Sequence, residues 1–121
     1  MARVLVLTAD LLFGSNVKGM LIAAGHDAQL VGGEDALRGA LIAGPADALV
    51  ADLTTEELEQ VQSVRELREE GLIGRAKVLG YYSHVEPGVR DLAEGDGFDM
   101  VVPRSRMARE GAELVNGLLG G

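Results

Sequence analysis

The chain of 121 residues has no cysteine, so disulfides, cysteine–zinc sites and thiol chemistry are excluded together. It has no tryptophan, only two tyrosines and two phenylalanines, and so must build its core from Val, Leu, Ile and Ala. Three prolines cannot support a proline-rich disordered segment. Basic residues are the minority, with 11 against 19 acidic ones and a net charge of −8, which argues against a phosphate-backbone reader. The first apolar run covers Val4 to Ala9 only, too short for a secretory segment or a membrane span, and no later run approaches about 20 residues. The expectation is a cytoplasmic chain with neither nucleic acid nor membrane as its partner. The abundant residue is glycine, at 17 positions with no Gly-X-Y period, which excludes collagen. The length suits one domain, expected to span residues 1–121.

Apolar runs alternate with helical periodicity along the whole chain. Val4–Leu7 is a continuous branched run, the pattern of a strand covered on both faces. A loop over Leu11–Gly14 follows, then a helix capped by Ser15 with Val17, Met20, Leu21 and Ala24 at i, i+3, i+4, i+7 and a stop at Gly25. Ala28–Val31 reads as the second strand, Asp35–Ala43 as the second helix and Ala48–Ala51, ending at Asp52, as the third strand. Thr54 and Glu57 match a capping box, opening a helix whose inner stripe is Leu58, Val61, Val64 and Leu67. Lys77–Tyr82 is the fourth strand, and Pro87 opens a short helix through Val89, Leu92 and Ala93. Phe98–Val102 is the fifth strand, and Ser105 caps a last helix with Met107, Leu114, Val115 and Leu118 inward. The prediction is an α/β fold, a single doubly wound five-stranded parallel sheet with helices on both faces.

In such a sheet, polar chemistry gathers at the carboxyl ends of the strands. The residues there are Thr8, Ala9 and Asp10 after the first strand, Asp52 after the third, Ser83 and His84 after the fourth, and Arg104 after the fifth. A carboxylate, a hydroxyl and a guanidinium meeting there would make a small pocket for a cation or a phosphoryl group. No P-loop, no G-x-G-x-x-G and no G-x-S-x-G occurs, so neither nucleotide binding nor hydrolase chemistry has a motif behind it. The loop Phe13–Asn16 offers amides to an anion, His26 reads as a surface residue at a helix end, and Arg104, Arg106 and Arg109 form a basic turn.

The order of these residues resembles the receiver domains of two-component response regulators, over roughly Arg3 to Leu119. Arg3–Asp10 is similar to a receiver's first strand, Gly33–Leu37 to the start of its second helix and Ala46–Asp52 to its third strand with the phosphoacceptor aspartate. Ser83 stands at the family's Ser/Thr position, and Gly97 leads the fifth strand. The resemblance implies Asp52 as phosphoacceptor, Ser83 and Arg104 as phosphoryl contacts, and Asp10 with Asp52 as ligands of Mg²⁺. The departures bear on that chemistry. The adjacent acidic pair that holds magnesium in the family reads Thr8 and Ala9 here; the family's lysine is Arg104, the proline after it Ser105, and the aromatic switch residue Val101. Mg²⁺ asks for an octahedron of oxygens including one or two carboxylates, so losing acidic ligands weakens such a site.

Three functions are thereby set against one another. The first is a stand-alone, non-enzymatic, pseudo-receiver-like signalling domain acting through a protein partner (a sensor kinase or downstream effector) or through self-association, without Mg-dependent phosphorylation. The second is a true phosphoacceptor receiver using Asp52. The third is a flavodoxin-like small-ligand binder or enzyme in the same crevice, which the fold permits but no motif specifies.

Overall fold

The computed structural model describes residues 2–54, 57–83 and 87–120. Five strand–helix pairs run in order: β1 (Arg3–Leu7), α1 (Leu11–Ala23), β2 (Asp27–Val31), α2 (Glu34–Ala43), β3 (Ala48–Asp52), α3 (Glu57–Glu69), β4 (Lys77–Tyr82), α4 (Pro87–Gly95), β5 (Met100–Pro103) and α5 (Arg104–Leu118). The strands form one parallel sheet in the order β2-β1-β3-β4-β5. This is the doubly wound α/β architecture expected from the alternating runs, with the order reversing between β1 and β3.

Side-chain alternation divides the core into two layers. Leu5, Leu7, Leu49 and Ala51 face α2, α3 and α4, where they pack with Leu37, Val61, Val64, Leu67 and Ala93. Val4, Val6, Ala48, Val50, Leu79 and Tyr81 face α1 and α5, meeting Val17, Leu21, Met107, Leu114 and Val115. Both faces of β1 and β3 are therefore buried, which is why their sequences show no polar alternation. Gly25, Gly71 and Gly97 take left-handed backbone (φ 93, 80 and 94°) and close α1, α3 and α4.

Several boundaries differ from the sequence reading. The segment Leu11–Gly14 is not a loop: α1 begins at Leu11, because Asp10 caps it by accepting from the Phe13 N–H at 3.0 Å. Gly14 N then bonds the Asp10 carbonyl at 2.9 Å, so the expected anion-binding amides of Phe13–Asn16 are consumed inside the helix. Ser105 is likewise not a cap. Strand β5 extends to Pro103 in register with Tyr82, so α5 starts at Arg104 and Pro103 takes the cap position without a side-chain bond. Leu58, expected inward, is half exposed, since it lies in the first turn of α3, ahead of the stripe that meets the sheet. Arg68, on the same helix, reaches across to donate to the Gly97 carbonyl at 3.0 Å. The proposed capping box depends on side-chain and backbone detail around Thr55, Glu56 and Glu57 that lies outside the described residues, as does the candidate loop residue His84.

His26 is more than a surface residue. Its Nδ1 accepts from the Ala2 N–H at 3.3 Å, and its Nε2 lies 2.6 Å from Asn116 Oδ1. The imidazole thereby ties the start of β1 to α5.

Candidate functional site

The site is set by strand parity at the point where the sheet order reverses. Leu7 pairs with Ala51, so one further step brings Thr8 beside Asp52, both on the face that carries Val6 and Val50. Ligands of open α/β sheets enter a crevice at this reversal. Here a hydrogen bond spans it. The Thr8 hydroxyl donates to Asp52 Oδ2 at 2.5 Å, between two side chains that are 1% and 5% exposed. The other carboxylate oxygen, Oδ1, accepts from the Thr54 N–H at 2.8 Å and from the Thr54 hydroxyl at 2.5 Å. Thr8 Oγ1 also accepts from the Asp10 N–H at 3.0 Å, so it is engaged both as donor and as acceptor. A buried carboxylate is costly unless its oxygens are satisfied; three donors from Thr8 and Thr54 supply that here.

Asp10 is occupied elsewhere. One oxygen caps α1, and the other lies 3.6 Å from Arg104 Nη2, with both side chains about two-fifths exposed (43% and 42%). Arg104 in turn stacks over the Phe13 ring, its guanidinium carbon 4.2 Å from the centroid. Phe13 packs on Tyr81 with centroids 5.1 Å apart and planes tilted by 47°. Tyr81 is wholly buried, and its hydroxyl finds no hydrogen-bond partner among the described residues. Burial first, and then the charge of Asp52, pushes its phenol well above the usual tyrosine range.

The residues of the site thus fall into two groups. Thr8, Asp52 and Thr54 form a hydrogen-bonded cluster at the β1–β3 reversal, with Thr8 and Asp52 buried. Ser83 and Arg104 face a separate cleft of about 420 Å³, walled also by Phe13, Tyr82, Pro103, Ser105 and Ala108. Asp52 does not line that cleft. Arg106 and Arg109 of the expected basic turn are drawn to Glu110, at 3.5 and 3.8 Å.

No family model matches the chain, and no curated protein matches it. Solved structures do. A response regulator from Thermotoga maritima superposes with a TM-score of 0.88 at 18% identity, over 100% of this chain and 99% of that one. The fold is that of response-regulator receiver domains. The signal receiver domain of NarL from Mycobacterium tuberculosis gives a TM-score of 0.82 at 20% identity, over 99% and 97% of the two chains. The receiver domain of a sensor histidine kinase from Pseudomonas aeruginosa PAO1, with a magnesium ion coordinated in its active-site cleft, gives 0.83 at 16%, over 99% and 98%.

The receiver fold makes magnesium the ion to test against these side chains. At the first two positions after β1 the donors are one hydroxyl, already bonded to Asp52, and none, Ala9 having a methyl. The carboxylate of Asp10 is bound to a helix end and a guanidinium, and that of Asp52 to two threonines. No cluster of three acidic or histidine side chains suited to a metal occurs among the described residues. This donor set does not fit an octahedral Mg²⁺ site.

The sequence reading named Asp52, Ser83, Arg104 and Asp10 but missed Thr54, Phe13 and Tyr81 as parts of the arrangement. A signal for the Thr8–Asp52 contact was present: Val4-Val6-Thr8 and Ala48-Val50-Asp52 are alternate residues of strands placed next to each other by the expected topology.

Proposed function

We propose that this chain is a single receiver-like signalling domain that acts by binding a protein, with Asp52 serving as a structural anchor rather than as a phosphoacceptor. The observation that carries this reading is the engagement of both carboxylate oxygens of Asp52 by Thr8 and Thr54. A carboxylate that attacks a phosphoryl group needs a free oxygen and cationic neutralisation of the incoming charge. Both oxygens of Asp52 are held by hydroxyl and amide donors, and Arg104 faces a different cleft. Thr8 pins the end of β3 to the end of β1, and Thr54 occupies the other oxygen from the turn that follows β3. The chain is accordingly a binding module and not an enzyme. Its partner is a sensor kinase, an effector or a second copy of itself.

The test is incubation with acetyl phosphate, and separately with beryllofluoride, each with Mg²⁺. The intact mass is expected to stay unchanged, and so are the amide resonances of Leu53 and Thr54. An added phosphoryl mass that is absent from Asp52→Asn would overturn the reading in favour of a true phosphoacceptor receiver. That second reading has one observation in its favour, the position of Asp52 at the carboxyl end of β3.

A further inference from the structure

The cleft that contains Ser83 and Arg104 has no role in the reading above, and its chemistry is distinctive. Its volume, about 420 Å³, is that of small-molecule sites. Phe13, Pro103 and Ala108 give it apolar surface, and Ser83 and Ser105 are its hydroxyl-bearing residues. In a chain with a net charge of −8, its described wall residues carry a guanidinium and no carboxylate. The guanidinium is held in place from below. Its central carbon lies 4.2 Å from the centroid of Phe13, whose ring leans on the fully buried Tyr81, so the two rings support Arg104 from one side. Its contact with Asp10, at 3.6 Å between half-exposed groups, is long for an ion pair and readily exchanged. A planar fork that is already oriented recognises a carboxylate or phosphate at little ordering cost.

We propose that this cleft binds a small organic anion consisting of a carboxylate or phosphate head on a flat apolar body. The head meets Arg104 and the hydroxyls of Ser83 and Ser105, and the body lies along Phe13, Pro103 and Ala108. The uncapped first turn of α5, which begins at Arg104, adds amide donors at the same end. Binding draws Arg104 away from Asp10, the cap of α1, and so gives the ligand a direct effect on the start of that helix. Asp52 does not line the cleft, so the proposal stands or falls independently of phosphorylation.

The experiment is an amide NMR titration of the full chain with 2-naphthoate, 2-naphthyl phosphate, the uncharged 2-naphthamide and inorganic phosphate. Saturable shifts confined to Phe13, Ser83, Arg104, Ser105 and Ala108 are expected with one or both of the charged naphthyl probes, and which of the two binds more tightly identifies the head group. The amide and the bare phosphate should bind at least about tenfold more weakly, since each lacks half of the recognition. Arg104→Gln should weaken the charged probes by about the same factor. Ala108→Leu, which fills the cleft without touching the charge, should block them too. Shifts that are absent, that spread over α3, that are equal for the charged and uncharged probes, or that persist in both variants would refute the proposal.

Discussion

Replacing Thr8 by Val tests whether a hydroxyl holds the centre of this site. The substitution keeps the shape and branching of a side chain that is 1% exposed, so it changes hydrogen bonding and little else. Two bonds are lost: the one donated to Asp52 Oδ2 at 2.5 Å and the one accepted from the Asp10 N–H at 3.0 Å. A bond to a charged group contributes about 1.5–3 kcal/mol and a neutral one about 0.5–1.5 kcal/mol. Asp10 is exposed enough for its amide to turn to water, so its share lies at the low end. The expected loss is about 2–4 kcal/mol, or a fall in Tm of about 10 °C for a domain of this size. Urea unfolding of the wild type, Thr8→Val and Thr8→Ser measures it. The serine variant keeps the hydroxyl and loses one buried methyl, about 1 kcal/mol, and should remain the more stable of the two. In an Asp52→Asn background the cost of Thr8→Val should shrink by about 1 kcal/mol or more, because the charge that strengthened the bond is gone. A Thr8→Val protein within about 0.5 kcal/mol of wild type, or one more stable than Thr8→Ser, would refute the account of Asp52 as an anchored group.

Four other predictions rest on the same structure. The raised Tyr81 phenol means that the unfolded chain, with an ordinary value of about 10, loses this proton first as the pH rises, so the stability it contributes is complete below about pH 10 and declines above it. Urea midpoints at about pH 9 and about pH 11 should differ less in Tyr81→Phe than in the wild type. Gly39→Ala, at a helix position where an added Cβ meets nothing within 4 Å, should stabilise by about 0.5–1 kcal/mol. Gly80→Ala, where Cβ would lie 2.7 Å from Leu53 Cδ1 and 3.0 Å from Phe98, should destabilise by about 1–3 kcal/mol in the same assay. Mg²⁺ should leave the wild-type midpoint where an ionic-strength control puts it, whereas Thr8→Asp with Ala9→Asp should be less stable without metal and recover on adding it.

The fold was legible because its signals are strong and local. Continuous runs such as Val4–Leu7 and Ala48–Ala51 have no other economical reading once helical stripes separate them, and the glycines at 25, 71 and 97 mark helix ends by a backbone need. Errors came where two residues compete for one cap. Asp10 and Ser15 are both good N-caps, and so the start of α1 was misplaced by a turn. At α5 the choice of Ser105 overlooked that Pro103 continues the strand pairing at the sheet edge, where no donated bond is needed. The site was only half visible. Residue types named Asp52, Ser83 and Arg104, but their separation into a hydrogen-bonded cluster and an open cleft depends on which way Arg104 leans, and that is decided by Phe13 and Tyr81. Sequence spacing carries no information about such a stack.

Gly14 sits beneath Thr8, where an added Cβ would fall 2.6 Å from the threonine's γ-methyl. These two positions are therefore tied in any lineage of this protein. While threonine occupies position 8, a side chain at position 14 meets that methyl, and Leu30 Cδ2, at 3.2 Å, crowds the same space. A route toward an acidic pair after β1 has its first step at position 8 too, placing a second carboxylate against Asp52 before any cation is bound to offset it. Change at position 14 is thus coupled to positions 8 and 30 together, and an acidic change at position 8 passes through a less stable intermediate.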